Sequence, residues 1–225
     1  HRIVTLNNPQ STQFVSALLL IGANVQTDST SPYITLTHEL IQHYTTLHNS
    51  TQRYTIEKDW SSAAFWYEYV ALHGGEITLP GLFRNSLQGD KVVADIFAHL
   101  SVTTQYTEEG IHICRSQAIL NSKFLIQNFS VCPDLYPAVA LTCERLGIEL
   151  HATGTESLPI KESDRLRAVR EHRTDADHRM AMALLIAGYE VDDTACISKS
   201  YPQFMEEYYK LFPQTPCSHR TITAQ

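Results

Sequence analysis

The sequence predicts an α/β (α+β) fold in which short strands alternate with amphipathic or apolar helices. Two observations support this class. Of the 225 residues, 43% are hydrophobic while only 9 are Gly and 9 are Pro, so the chain has enough apolar side chain to offset the entropy of ordering it. Runs with strand-like alternation also follow runs with helical periodicity along the chain. This pattern excludes a disordered, collagen-like or low-complexity protein.

The first part of the chain begins with a β-type run at residues 3–6, a turn, and a segment whose apolar density predicts a helix buried nearly all round. Two consecutive glycines, Gly74 and Gly75, separate a later helix from the strand that follows it. The predicted elements up to the turn-rich segment 80–89 are strands at residues 3–6, 53–57 and 76–79 and helices at residues 11–21, 34–47 and 61–73.

The second part repeats the theme after a helix at residues 90–100. We predict the domain boundary at the preceding turns, which gives one domain at residues 1–88 and another at residues 89–225. The remaining predicted elements are strands at residues 101–106, 111–114, 124–129, 149–153 and near 190–191, and helices at residues 134–146, 161–171, 177–187 and 203–212. Neither a G-x-G-x-x-G nor a G-x-x-x-x-G-K-[ST] sequence is present, which argues against nucleotide binding.

Composition limits the partners and the compartment. The net charge of −7 argues against a nucleic-acid or anionic-membrane partner, since both need a basic face. The uncharged apolar runs are shorter than about 18 residues, so no transmembrane helix is expected, and no signal peptide is visible. The 5 cysteines are scattered and odd in number, which favours a reducing cytosol over a disulfide framework. The His residues are equally dispersed, so no metal site is predicted. Because residue 1 is His and not Met, we expect a piece of a longer protein.

Several polar groups stand where folding alone would not select them. Ser11, Thr12 and Gln13 open the first apolar helix. Helix capping explains one hydroxyl. Three polar side chains beside free backbone N–H groups also suit an anion or a hydroxyl, and both interpretations stay open here.

Lys161 and Arg165 are four residues apart at the predicted start of a helix, after Pro159. One interpretation is a solvated helix with Lys161–Asp164 and Glu162–Arg165 pairs. However, two cations near the positive end of a helix are electrostatically unfavourable unless an anion offsets them.

Arg179 lies in the first turn of a strongly apolar helix, after a Thr174–Asp177 pair that resembles a capping box. A guanidinium there opposes the helix dipole and is desolvated, so it needs a carboxylate or phosphate partner. That partner is either an external anionic ligand or an internal salt bridge.

Lys199, taken alone, fits a surface lysine in a loop of small residues. Taken with Lys161, Arg165 and Arg179, it completes a set of cations at helix starts and loops in an acidic chain. The set indicates a small anion with several charges.

The acidic residues have two interpretations of their own. Asp134 follows Pro133 in a typical N-cap position, and capping is its default role. A carboxylate near several cations stays ionised, whereas a shielded one can donate a proton. Asp134 and Glu162 fit such a divided pair.

Four of these segments together, in this order, resemble the EPSP synthase family, the 3-phosphoshikimate 1-carboxyvinyltransferases. The resemblance runs from the first residues to about Leu211. The segments that carry it are Ser11-Thr12-Gln13-Phe14, Asn85-Ser86-Leu87-Gln88-Gly89-Asp90, Lys161-Glu162-Ser163-Asp164-Arg165-Leu166 and Asp177-His178-Arg179-Met180-Ala181-Met182-Ala183.

The resemblance implies a two-domain enolpyruvyl transferase fold of repeated βαβαββ units. It places residues 1–88 in a partial upper domain and residues 89–225 in the lower domain. It implies transfer of the enolpyruvyl group of phosphoenolpyruvate to the 5-hydroxyl of shikimate 3-phosphate, with release of phosphate and with neither a metal nor an organic cofactor. A cytoplasmic monomer is expected.

The resemblance also implies roles for individual residues. Asp134 corresponds to a proposed base, and Glu162 to the acid that handles the proton at the methylene carbon. The cations that correspond to the phosphoenolpyruvate contacts are Arg165, Arg179 and Lys199. The residues that correspond to shikimate 3-phosphate contacts are Ser11, Thr12, Gln13, Thr30, Tyr33, Asp134, Ser157 and Lys161, with Thr12 where the family usually has Ser.

Two departures from the family pattern matter. The family's N-terminal part, which carries further contacts to both substrates, has no counterpart here. Only ten residues separate Leu166 from Asp177, where the family carries a further helix and strands. The alternatives to the transferase are therefore an incomplete, inactive fragment that keeps the fold, and the related UDP-N-acetylglucosamine enolpyruvyl transferase, which the two basic motifs disfavour.

Overall fold

The structure, a computed structural model, describes residues 3–9, 11–47, 56–116 and 123–212. Mixed helices and strands with several small sheets confirm the predicted α/β class. The helices are α1 (Thr12–Leu20), α2 (Pro32–Leu47), α3 (Trp60–His73), α4 (Val93–Ala98), α5 (Tyr136–Leu146), α6 (Arg165–Glu171), α7 (His178–Ile186) and α8 (Phe204–Leu211). The strands are β1 (Ile3–Leu6), β2 (Asn24–Thr27), β3 (Glu76–Pro80), β4 (Val102–Tyr106), β5 (Gly110–Arg115), β6 (Phe124–Asn128) and β7 (Glu149–Thr153).

Residues 3–9 and 11–47 form a thin unit, which we call the N-terminal unit. Its strands β1 and β2 pair in parallel from Ile3↔Asn24 to Leu6↔Thr27, and α1 packs on α2. Few of its side chains are buried. The hydroxyl of Thr37 joins the two helices by donating to Ser16 Oγ at 2.7 Å.

Residues 56–212 hold the main core. A three-stranded antiparallel sheet has the order β3-β5-β4, and a separate parallel pair joins β6 to β7. Helix α3 is buried along most of its length and packs against α5 and α7. Phe204 of α8 stacks on Trp66 of α3 with ring centroids 5.3 Å apart.

The buried core runs without interruption from Trp60 to Tyr208, so it includes residues on both sides of position 88. Packing alone therefore marks no boundary at that position, and the division into residues 1–88 and 89–225 stays a prediction.

Several element boundaries differ from the prediction. Helix α6 begins at Arg165 rather than at residue 161, because the side chain of Asp164 caps it by accepting from the N–H of Arg167. Helix α7 begins at His178, capped by Asp177 itself, so Thr174 is not its cap. Strand β2 was not predicted, and residues 190–191 form no strand. The predicted strand 53–57 lies mostly outside the described residues, and Ile56 and Glu57 belong to no strand.

The link between α6 and α7 is short and tightly turned. His172, Asp175 and Ala176 all have positive φ, at 52°, 46° and 59°. Left-handed backbone is uncommon for residues other than glycine, so this link reverses the chain within a few residues. It brings the starts of α6 and α7 to the same place.

Candidate active site

A cleft of about 1190 Å³ opens between the N-terminal unit and the starts of α5, α6 and α7. All of the residues predicted from the sequence to bind or react line it, apart from Lys199. Those lining residues are Ser11, Thr12, Gln13, Thr30, Tyr33, Asp134, Ser157, Lys161, Glu162, Arg165 and Arg179.

The wall from the N-terminal unit carries neutral groups. Ser11 is the N-cap residue of α1, but its side chain makes no capping hydrogen bond, so the capping interpretation of this hydroxyl is wrong. Thr12 and Gln13 follow in the first turn, and Tyr33 reaches the cleft from the first turn of α2. This wall therefore offers mainly hydroxyl, amide and backbone N–H groups, and its one charged group in the described lining is Asp28, whose carboxylate accepts from the N–H of Asn8 at 2.7 Å.

The opposite wall carries a cluster of charges around Asp134, which we call the Asp134 cluster. Arg165 Nη1 lies 2.7 Å and Lys161 Nζ 3.4 Å from Asp134 Oδ1, and Arg179 Nη2 lies 3.2 Å from Asp134 Oδ2. The partner of Arg179 in this structure is thus an internal carboxylate. Neither of the two surface pairs considered for residues 161–165 forms; Lys161 and Arg165 instead share Asp134.

Asp134 does not act as a helix cap, because neither the 3-10 turn Pro133–Leu135 nor α5 has a side-chain cap bond. Burial would raise the pKa of its carboxyl, but Arg179, Arg165 and Lys161 outweigh burial and hold that pKa well below its usual range. The carboxylate is therefore ionised throughout the physiological range.

Arg165 is the buried anchor of the cluster, with 2% of its surface exposed. Its Nε donates to Asp177 Oδ2 at 2.8 Å while its Nη1 donates to Asp134. Ser163 Oγ donates to the same Asp177 oxygen at 3.2 Å, and the N–H of Arg179 donates to the other. The guanidinium thus fixes the starts of α6 and α7 relative to α5.

Glu162 faces the cleft from the segment before α6. Its Oε2 lies 2.9 Å from Nδ1 of His178, the first residue of α7, whose side chain is only 9% exposed. An acid held by an imidazole at the edge of a cleft can pass a proton to and from a ligand. Sequence reasoning gave His178 no role, although it stands between Asp177 and Arg179 in a segment already singled out.

Glu162, Asp177 and His178 also place three possible metal-ligand atoms within 4.8 Å of one another in the described part of the chain. Asp177 already accepts from Arg165 and from the backbone of Arg179. Both Asp177 oxygens therefore already accept from a guanidinium or a backbone N–H group. A metal ion bound beside them would be repelled by the charge of Arg165.

Lys199 lies outside the lining of the cleft. Its Nζ donates to the carbonyl of Ala176 at 3.2 Å, in the turn just before α7. Among the predicted cations it is the one that the structure does not bring to the cleft wall.

A second acidic group lies behind the cleft and was not predicted. Asp90 is 1% exposed, and its carboxylate accepts from the hydroxyls of Ser61 and Tyr33, which both line the cleft. From the sequence, Asp90 was named only as the last residue of a segment that carries the family resemblance, and no role of its own was assigned to it. Its position within the segment 85–90, already singled out, was the available signal.

Comparison with known proteins agrees with this geometry. The sequence model of EPSP synthase (3-phosphoshikimate 1-carboxyvinyltransferase) matches residues 3–172 and 170–208, which is most of the chain. The chain belongs to the EPSP synthase family.

Three relatives illustrate how the chain compares with other members of the EPSP synthase family, all with the name 3-phosphoshikimate 1-carboxyvinyltransferase. The protein of Bacteroides fragilis is 31% identical over 92% of this chain and 65% of its own length. That of Erwinia tasmaniensis is 27% identical over 92% of this chain and 61% of its own. That of Methanospirillum hungatei is 28% identical over 72% and 45%. The chain thus spans less than two thirds of the length of these EPSP synthase relatives.

The comparison also bears on the link between α6 and α7. The alignment to the Bacteroides relative runs over 267 positions, which exceeds the 225 residues of this chain, so the relative has internal segments without a counterpart here. The two matches to the EPSP synthase model meet at residues 170–172. This is the stretch where the sequence resemblance implied a missing helix and strands.

Helices long and apolar enough to cross a lipid bilayer are absent from the described parts of the chain.

Proposed function

We propose that this chain binds shikimate 3-phosphate and phosphoenolpyruvate in the cleft. We further propose that it carries groups that transfer the enolpyruvyl unit to the 5-hydroxyl of shikimate 3-phosphate. The observation that carries the proposal is the division of one cleft into a wall rich in hydroxyl and amide groups and the Asp134 cluster. Such a cleft suits a hydroxylated ring beside anionic groups.

The cation-rich wall supports the binding of a multiply charged anion. Within the described residues, Lys161, Arg165 and Arg179 form ion pairs with two carboxylates, those of Asp134 and Asp177, so these five side chains together carry one surplus positive charge. Arg179 is the more accessible guanidinium, with 14% of its side chain exposed against 3% for Arg165. We assign Arg179 to the substrate carboxylate or phosphate, since its planar fork matches both.

The reaction proposed for this cleft has two steps. Asp134 takes the proton of the 5-hydroxyl as its oxygen attacks the central carbon of phosphoenolpyruvate, while Glu162 delivers a proton to the terminal methylene. The tetrahedral intermediate then returns a proton from the methyl group to Glu162 as the C–O bond to phosphate breaks, and the departing phosphate takes the proton held by Asp134. Fixed cations stabilise the charge that develops on the departing phosphate.

The low pKa of Asp134 makes it a weak base as long as all three cations face it. An anionic substrate that draws Arg179 away from Asp134 removes the cation that lowers this pKa most. Substrate binding would therefore strengthen the base at the moment when it is needed.

A second candidate is a chain that binds the substrates without turning them over. The observation in its favour is length, because the relatives carry more than a third of their residues outside the matched span.

Isothermal titration with shikimate 3-phosphate, then with phosphoenolpyruvate, and a phosphate-release assay separate the two candidates. We expect binding of both compounds. In the Arg179→Ala variant we expect about 100-fold weaker phosphoenolpyruvate binding, because a charge-assisted bidentate contact contributes about 1.5–3 kcal/mol.

The matched control is Arg167→Ala, since Arg167 is an exposed arginine that pairs with Asp175 and lies outside the cleft lining. It should leave the affinity for phosphoenolpyruvate unchanged. Binding without phosphate release supports the second candidate. If the unaltered chain binds neither compound, the proposed function is wrong.

A further inference from the structure

Asp90 lies in the 3-10 turn Gly89–Val92, just behind the cleft, and the family resemblance assigns it no role. One oxygen of its carboxylate accepts a close hydrogen bond from the hydroxyl of Ser61, in the first turn of α3. The other lies 3.4 Å from the hydroxyl of Tyr33, in the first turn of α2. Asp90 therefore joins the N-terminal unit to the main core through two cleft-lining hydroxyls.

The turn that carries Asp90 is held firmly in place. Gln88 donates to the carbonyl of Lys58 at 2.7 Å and accepts from the N–H of Trp60 at 3.0 Å. Ser86 Oγ donates to Glu57 Oε2 at 2.6 Å. These bonds fix the turn against the start of α3, so the carboxylate of Asp90 has a defined position.

An ionised carboxylate only accepts hydrogen bonds, and a hydroxyl has one proton and two lone pairs. When Ser61 and Tyr33 give their protons to Asp90, each hydroxyl can show only lone pairs to the cleft. Lone pairs accept from a ligand O–H group and disfavour a phosphate or carboxylate oxygen. The cleft thus has an acceptor region opposite its cationic wall.

The protonation states agree with this arrangement. Burial, together with the charges of Asp134 and Asp59, raises the pKa of Asp90 to about 6 in spite of the Ser61 hydrogen bond and Arg179, which both lower it. Asp90 is therefore ionised at pH 7.5. Burial and the charge of Asp90 raise the pKa of Tyr33 well above its usual range, so the phenol keeps the proton that it donates.

We infer that Asp90 is a positioning residue that fixes the hydroxyl protons of Ser61 and Tyr33 and so makes this region a subsite for a hydroxyl group of the ligand. The identity of that ligand, a ring that carries both hydroxyls and a phosphate, rests on the proposed function. Asp90 itself touches no reacting atom.

The test is Asp90→Asn, which keeps the shape but replaces one acceptor oxygen with an NH₂ donor. That donor turns the proton of one hydroxyl into the cleft. At pH 7.5 we expect shikimate 3-phosphate to bind about 10-fold more weakly, whereas inorganic phosphate, a probe without ring hydroxyls, changes by less than about 2-fold. An equal loss for both probes would indicate a general distortion and overturn the inference, as would no loss for either.

A second set of variants tests whether Asp90 acts through the hydroxyls of Ser61 and Tyr33. In a chain that already carries Tyr33→Phe and Ser61→Ala, Asp90→Asn should weaken shikimate 3-phosphate binding no further. A full additional 10-fold loss would mean that Asp90 acts by another route.

The pH dependence of shikimate 3-phosphate binding provides a measurement that a merely structural role of Asp90 would leave unchanged. Because titration of the ligand phosphate is common to both proteins, it cancels in the ratio of the dissociation constants of Asp90→Asn and the unaltered chain. That ratio should fall towards one below pH 6, where Asp90 itself is protonated. Should Asp90→Asn not fold, Tyr33→Phe replaces it in this test. The ratio of the dissociation constants of Tyr33→Phe and the unaltered chain for shikimate 3-phosphate should be larger at pH 7.5 than at pH 5, and an equal ratio at both pH values would overturn the inference.

A ligand-free measurement separates this inference from the proposed function. Proton NMR at pH 7.5 should show a slowly exchanging hydroxyl proton of Ser61 that disappears in Asp90→Asn. If that proton is present but shikimate 3-phosphate does not bind, the proposed function fails and the positioning role of Asp90 stands. If the proton is absent from the unaltered chain, the inference fails.

Discussion

The N-terminal unit and the main core contribute to the same cleft in different ways. Within the N-terminal unit, the described side chains that are buried are Val15, Ile34 and Thr37, while Phe14 and Leu20 stay 58% and 66% exposed. The main core buries a continuous set of side chains from Trp60 to Tyr208. The thin unit supplies mainly hydroxyl and amide groups to the cleft, and the thick one supplies all of its described cations.

This difference has a physical reason. A desolvated guanidinium such as Arg165 is tolerated only where its partners are held in good geometry, because unpaired burial of a charge costs several kcal/mol. The helices of the main core provide that geometry. Hydroxyl and amide groups need no such frame, since they exchange partners with water at little cost. The comparison teaches that the charged half of the cleft can only be built on the better packed region.

The largest effect on the difference between the two regions is expected from Arg165→Met, which removes the buried charge and keeps the approximate side-chain volume. Asp177 and Asp134 then lose a buried partner. We expect the free energy of unfolding to fall by about 3–5 kcal/mol, as for other broken buried ion pairs. Urea denaturation measures it.

Arg173→Ala is the matched control, since Arg173 makes a similar pair with Asp175 at 3.1 Å but is 59% exposed. Its denaturation midpoint should stay unchanged. Equal losses in the two variants would show that burial of Arg165 is not what matters.

A change of opposite sign is expected at Glu68 in the middle of α3. Its side chain is fully buried, and neither carboxylate oxygen has a hydrogen-bond partner among the described residues. Burial raises the pKa of Glu68 well above its usual value. Since the folded pKa exceeds the unfolded one, the group contributes most stability below the unfolded pKa of about 4.3, and that stability is lost as the pH rises.

Glu68→Leu should therefore stabilise the chain at pH 8 by about 1–3 kcal/mol, the cost of an unsatisfied buried polar group. The gain should be smaller at pH 5. Thermal unfolding at the two pH values measures both. A variant that is less stable at pH 8 would indicate that the Glu68 carboxylate has a stabilising partner.

The smallest expected effect tests the comparison directly. Backbone amides of α1 should exchange with deuterium at least about 10-fold faster than those of α5 and α7, because regions with few buried apolar contacts open at lower free energy. Exchange followed by mass spectrometry gives the rates. Equal protection would mean that the N-terminal unit opens only with the whole chain.

Local sequence signals predicted most elements of the fold, because periodicity and caps act over a few residues. Asp59 shows this well, since its side chain caps α3 by accepting from the N–H groups of Ser61 and Ser62. Strand β2 was missed because Asn24–Thr27 is polar and forms a strand only through pairing with β1. That pairing is a tertiary contact between segments that the sequence does not show to be adjacent.

The sequence predicted which residues line the candidate site, but it did not predict which of their side chains contact one another. The sequence indicated that Arg179 needs an anion, and it could not decide between a ligand and a carboxylate. The partner is Asp134, 45 positions earlier in the chain. Asp90 and His178 were missed as site residues for the same reason, since their roles depend on partners that only the folded chain brings near.

The tight link between α6 and α7 has a consequence for how members of the family can differ in length. Arg165 and Arg179 are both held by Asp134, which precedes α5. Of the residues that join the two helices, Asp177, the last one, also accepts from Arg165. The join can therefore be lengthened or shortened ahead of Asp177 without removing these contacts. We therefore expect insertion or loss of whole elements ahead of Asp177 to leave the Asp134 cluster in place, so that this cluster can persist through large changes in the size of the protein.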